Sequence, residues 1–302
     1  MNRQVRAYIF LALAMSIAGS AVVVGKYMVS AMPVFLAAEL GILTSLMFLL
    51  PPVLLGRQKR ERLDRKTHLI LLLQALCGVV LYRICIFQGL RYTSASAGGL
   101  ISSAAPVFIV LMAFFLLREK MTGKRAAGAG CVCVGILAVN LYPFLTDSFQ
   151  AVSAFKGNCL VLAAVVCEAA FSVMSKVGCK PMSALFRTTM VTLYACVCLL
   201  PFSLHEALGY DFGSMDATTF FSIGYYGFFV SFLSYVLWFK GIECVPAGIA
   251  ASFTGFVPLS CIFLSWAILN EQMNSSHYAG LLFLLTGIGL ACLPDGARRV
   301  RA

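Results

Sequence analysis

Gly89-Leu-Arg-Tyr-Thr-Ser-Ala-Ser-Ala-Gly-Gly-Leu-Ile-Ser-Ser-Ala-Ala-Pro106 and Gly241-Ile-Glu-Cys-Val-Pro-Ala-Gly-Ile-Ala-Ala-Ser-Phe-Thr-Gly-Phe-Val-Pro258 are two copies of one pattern, 152 residues apart. Each runs from a glycine through small residues to a proline. The same shift lays Ala95 on Ala247, Glu119 on Glu271, Gly128 on Gly280 and Gly135 on Gly287. Upstream, a shift of 150 sets Lys26 on Lys176, and a shift of 148 sets Pro33 on Pro181 and Glu39 on Arg187. The drifting offset marks short loop insertions in a duplicated architecture.

The chain around these copies is too apolar for a soluble domain. It is 61% hydrophobic and 12% charged, with a mean hydropathy of +0.91, where soluble domains are roughly half apolar. Runs of about 20 apolar residues, enough for a helix to cross the hydrocarbon layer, fall near 7–25, 33–55, 68–88, 93–117, 126–143, 157–175, 182–204, 218–239, 245–269 and 277–293. The expectation is an all-α membrane protein of ten transmembrane helices. Its units are a five-helix repeat over 1–145, a second over 155–294 and a basic cytoplasmic tail over 295–302. Five is odd, so the second repeat must enter the membrane from the opposite face. The opening Met1-Asn-Arg-Gln-Val-Arg resembles the basic start of a signal peptide, but its apolar run continues to Gly25, longer than a signal core; it is read as the first span.

The net charge of +11 does not point to nucleic acid, because the basic residues sit in short loops rather than on a soluble face. Of the 23 Lys and Arg, 18 fall in one alternating set of loops and ends. Lys26, Arg91 and Lys156 make up the other set, and Arg83 and Arg187 lie inside spans. Basic loops stay in the cytoplasm, so both termini are expected there, in a multi-pass protein of the cytoplasmic (inner) membrane. The 12 cysteines lie largely within apolar runs and lack disulfide or zinc spacing. No metal or cofactor is expected.

Inverted repeats are a common architecture of secondary transporters, since halves of opposite topology supply one state open to each side. The small-residue run Thr93–Ala105 with Pro106 and Arg118-Glu119, matched by Ala247–Gly255 with Pro258 and Asn270-Glu271, resembles the ten-span EamA-type proteins of the drug/metabolite transporter superfamily. Both halves also show the Lys after the first helix (Lys26, Lys176) and the Pro opening the second (Pro33, Pro181). The resemblance covers nearly the whole chain and implies proton-linked or exchange-type movement of metabolites. Such proteins often carry Arg in the second helix of each repeat, where the first copy here has Glu39.

Charge inside the bilayer is expensive and marks function or pairing. At about 1.5 Å per residue, Glu39 and Arg83 lie at matching depth below the outer side, and Glu168 and Arg187 at matching depth above the inner side. The expectation is an outer Glu39–Arg83 pair and an inner Glu168–Arg187 pair facing a central cavity, either working in turn or only neutralising one another. Tyr82, Ser102, Ser103 and Thr254 are the other candidate lining residues, although small residues at these spacings also serve close helix packing and tyrosines near span ends also anchor at interfaces. Pro106 and Pro258, read as mid-span, are candidate hinges. Arg187 and Glu39 suit a solute with both a carboxylate and an amine, such as an amino acid.

The expected function is a secondary carrier of a small metabolite or drug working by alternating access. Its partners would be that solute, membrane lipids and protons, in a monomer or homodimer. The other class is a non-transporting receptor or intramembrane enzyme using the same cavity. H-E-x-x-H, G-x-S-x-G and phosphate-loop motifs are absent from the sequence, so catalysis has no sequence support.

Overall fold

The computed structural model describes residues 3–55, 64–117, 123–146, 148–176, 183–242, 253, 256–271 and 275–292. Thr254 and Glu119 fall outside them. Every regular element among the described residues is helical, as apolar side chains in lipid require, because a helix satisfies its own backbone groups. Along the chain run α1 (Arg3–Ala31), α2 (Val34–Leu54), α3 (Arg65–Ala75), a π-helical segment π1 (Leu76–Leu81) and α4 (Tyr82–Tyr92). Next come α5 (Ala95–Ser102), α6 (Ala105–Leu117), α7 (Gly123–Thr146), α8 (Ser148–Lys176) and α9 (Ala184–Leu208). The last are α10 (Ala217–Tyr225), a second π segment π2 (Tyr226–Leu233), α11 (Ser234–Ile242), α12 (Phe256–Leu269) and α13 (Ser275–Cys292).

Among the described residues, six helical stretches are long and apolar enough to span a membrane: Val5–Ala31, Val34–Leu54, Arg65–Tyr92, Val152–Phe171, Leu185–Leu208 and Ala217–Trp238. Four shorter apolar helices accompany them. Short polar side chains set several starts. Asp64, Ser94, Ser183 and Asp216 each accept from a backbone N–H three residues on, at the head of α3, α5, α9 and α10, relieving donors that a helix start leaves bare.

Pro106 does not sit inside an unbroken helix. The fourth apolar run divides at Ser103-Ala104 into α5 and α6, and Pro106 is the second residue of α6. The Ala104 carbonyl there accepts from both Val107 and Phe108. Pro258 is the third residue of α12. In a first turn the missing N–H costs nothing and the fixed φ suits the helix, so Pro106 stands where a helix starts.

Several contacts obey the repeat. A Cβ built on Gly135 would lie 3.0 Å from the Gly280 carbonyl oxygen, and one on Gly287 2.7 Å from that of Gly128. The 152-residue shift interchanges these two contacts, so α7 and α13 meet backbone to backbone in a reciprocal way. The pairs α1 with α12 and α8 with α6 are likewise exchanged by it. The shift of 150 carries π1 onto the first six residues of π2.

Candidate functional site

The two π segments pack across the halves, π1 against α8 and α9 and π2 against α1 and α2. A π turn winds more residues than an α turn, so the side chains around it leave the ordinary helical register, and such segments often mark functional positions. Arg83, two residues beyond π1, is 8% exposed. Its Nη1 donates to the Ala38 carbonyl at 3.3 Å, its Nη2 donates to Ser231 Oγ in π2 at 3.0 Å, and its guanidinium stands 5.1 Å from the centre of the Tyr226 ring. That ring meets Phe87 edge-on at 5.7 Å. One cation is thus held by α2, by π2 and by an aromatic face.

Glu39, at 2% exposure, does not pair with it. Matching depth fixes height in the membrane, not direction around the helix: Arg83 reaches the backbone of α2, and the Glu39 carboxylate turns to α9. There Cys196 Sγ donates to Oε1 at 2.9 Å, while the buried Oε2 has no hydrogen-bond partner among the described residues. An acceptor left bare in the interior is costly.

The inner pair does not form either. Arg187 Nε donates to Gln74 Oε1 at 3.2 Å, and Gln74 Nε2 donates to the Met174 carbonyl at 3.3 Å. Glu168 stands apart from both. Its helix α8 packs against the π1–α4 stretch in opposite directions: a Cβ on Gly89 would lie 2.9 Å from the Gly157 carbonyl oxygen, and one on Gly78 2.4 Å from the Phe171 ring. Between those crossings Tyr82 comes level with Glu168. Glu168 forms no hydrogen bond or ion pair among the described residues, and its oxygens are not fully buried.

Of the other expected lining residues, Ser103 Oγ donates to the Leu100 carbonyl of its own helix at 2.6 Å. Ser102 Oγ is buried without a partner among the described residues, and no hydrogen bond joins either serine to Arg83 or Glu168. Tyr226, Ser231 and Cys196 escaped the sequence reading because an uncharged side chain within an apolar run gives no signal of facing inward. The arrangement offers a bare carboxylate, tyrosine rings and a braced guanidinium, which is binding chemistry. No group of three or more metal-type ligands occurs among the described residues.

The sequence profile of the EamA-like transporter family matches residues 5–141 and again 155–293. A Bacillus subtilis protein described as the uncharacterized transporter YetK is 36% identical over 288 residues, covering 95% of this chain and 87% of its own. An Escherichia coli protein described as a probable amino-acid metabolite efflux pump is 22% identical, over 64% of this chain and 66% of its own. A solved crystal structure with 16% identity superposes with a TM-score of 0.62 over 97% of this chain and 99% of its own, which bears on the fold alone. With its apolar helices, its profile match along both halves and its close transporter relative, this multi-pass membrane chain belongs to the EamA-like transporter family.

Proposed function

We propose that the protein is a secondary carrier of a small amine-bearing metabolite, an amino acid or related zwitterion. It works by alternating access between two inverted five-helix repeats, 1–145 and 155–294, in the cytoplasmic membrane. The observation that carries this reading is Glu168: a carboxylate without a hydrogen bond or ion pair among the described residues, on the second-half helix α8 and level with Tyr82 of the first-half helix α4 against which α8 packs. A carboxylate within a membrane span without a counter-charge is costly, and an ammonium group seated there gains both the charge and a tyrosine ring beside it.

The paired π segments and the reciprocal glycine contacts support two halves able to exchange roles. The relative described as an amino-acid metabolite efflux pump supports the substrate class. Arg83, oriented by the Ala38 carbonyl, Ser231 and the Tyr226 ring, is the guanidinium proposed to meet a substrate carboxylate. Glu39 Oε2 is a buried oxygen lacking a donor among the described residues, a position where a coupling proton fits.

The test is thermal melting of the purified protein with amino acids and their N-acetyl counterparts, since a ligand stabilises the folded state in proportion to its occupancy. The reading expects stabilisation by the free amines and none by the acetylated compounds, with the effect lost in Glu168→Gln. Equal stabilisation by both series, or an unchanged effect in Glu168→Gln, removes the amine site.

A further inference from the structure

At the end of the bundle that carries Lys26, Arg91 and Lys156, the halves are joined by carboxylates, all from the second half. The densest join is Glu271. The chain leaves α12 through Asn270, whose φ of 51° is the left-handed conformation that Asn tolerates at a helix end, and the Glu271 N–H folds back onto the Ser265 carbonyl at 3.2 Å. This turn delivers the carboxylate to the start of α5 in the first half. Oε1 accepts from the Ala95 N–H at 2.8 Å; Oε2 accepts from the Ser96 N–H at 2.9 Å and from Ser96 Oγ at 2.7 Å.

A negative charge on a helix N-terminus satisfies bare donors and meets the positive end of the helix dipole. Lys26 and His277 face the same carboxylate, and Lys26 Nζ donates to the Thr93 carbonyl just before α5. Two further acids repeat the motif in lesser form. Glu206 Oε2, near the end of α9, accepts from the Leu36 N–H in the first turn of α2 at 2.8 Å, and Asp216 Oδ2 accepts from Tyr27 Oη at 3.0 Å. Thr93 Oγ1 also donates across the halves, to Asn158 Oδ1 at 2.6 Å. One bond runs the other way, from Tyr210 Oη to the Ala31 carbonyl at 3.4 Å.

We infer that Glu271, helped by Glu206 and Asp216, is a carboxylate latch that holds this mouth of the protein closed, and that the latch must release for the mouth to open. A separation of the halves here strips three donors from Glu271 at once, so the latch sets how readily this end parts relative to the other. The inference goes beyond the substrate reading and uses the two-sided cycle only for its direction.

Hydrogen exchange followed by mass spectrometry on the intact protein in nanodiscs tests it without any substrate, so its outcome is separate from that of the amine experiment. Glu271→Gln keeps the shape and removes the charge. Expected is at least about fivefold faster exchange over 94–98, the loss of one strong helix cap, spreading to 34–37 but leaving 64–75 and 184–190 unchanged. Ser96→Ala, which removes one donor and no charge, should give a smaller acceleration confined to 94–98. Unchanged exchange over 94–98 in Glu271→Gln, or acceleration equal at both ends of the bundle, overturns the inference.

Discussion

The two ends of the bundle are tied across the halves by different chemistry. At the Lys/Arg-poor end, acidic side chains of the second half sit on backbone N–H groups that begin helices of the first half. At the opposite end the joins are neutral or cationic. Gln74 bridges Arg187 and the Met174 carbonyl, His68 Nδ1 meets the Tyr194 hydroxyl, and Thr189 Oγ1 reaches the Leu49 carbonyl at 3.5 Å. A carboxylate on a helix start draws on several donors at once and weakens when its charge is lost. An amide bridge keeps its strength whatever the charge state of its neighbours. The lesson is that the two ends of one bundle need not be held with equal energy.

Substitutions can break or sharpen this contrast. The largest effect is expected where both ends depend on one contact: Gly287→Leu drives a side chain into the Gly128 carbonyl and Val132. It should cost about 3 kcal/mol or more, read as a lower melting temperature with faster exchange at both ends alike. Glu271→Ala leaves the α5 donors bare and should cost about 2 kcal/mol, with the exchange confined to the acidic end. Gln74→Leu removes a fully buried bridge and should cost about 1–2 kcal/mol, with the exchange confined to the other end. Tyr194→Phe deletes a single bond to the exposed His68 and should cost about 0.5 kcal/mol.

The smallest effect belongs to Asp216. Donors from Thr219, foremost, and Tyr27 hold its carboxyl below the usual range. Its contribution is therefore present above the ordinary carboxylate value of about 3.9 and fades as pH falls through the lower folded value. Melting curves of Asp216→Asn and the parent should differ slightly at neutral pH and converge in strong acid.

Much of the fold was legible in the sequence because lipid leaves few options. Apolar runs of membrane length became helices, and Gly128, Gly135, Gly280 and Gly287, aligned by the repeat, proved to be the close contacts between α7 and α13. The π segments left no trace, since one extra residue in a turn has no compositional mark. The charge pairs were wrong because sequence gives depth but not azimuth. Arg83 found a carbonyl, a serine and a ring instead of Glu39, and Arg187 found Gln74 instead of Glu168. Pro106, a candidate hinge, stands in the first turn of α6 beside the break at Ser103-Ala104. Glu271 was recognised as one member of a repeated pair. Its seat on Ala95 and Ser96 spans some 175 residues of chain, beyond the reach of any local signal.

The most direct test of the account is uptake of a labelled amino acid, one that stabilises the purified protein, into proteoliposomes preloaded with the unlabelled compound, comparing the parent with Glu168→Gln. The account predicts exchange by the parent and its loss in the variant, with the variant's melting temperature preserved. Exchange at the parent's rate in Glu168→Gln would contradict a central site built on that carboxylate.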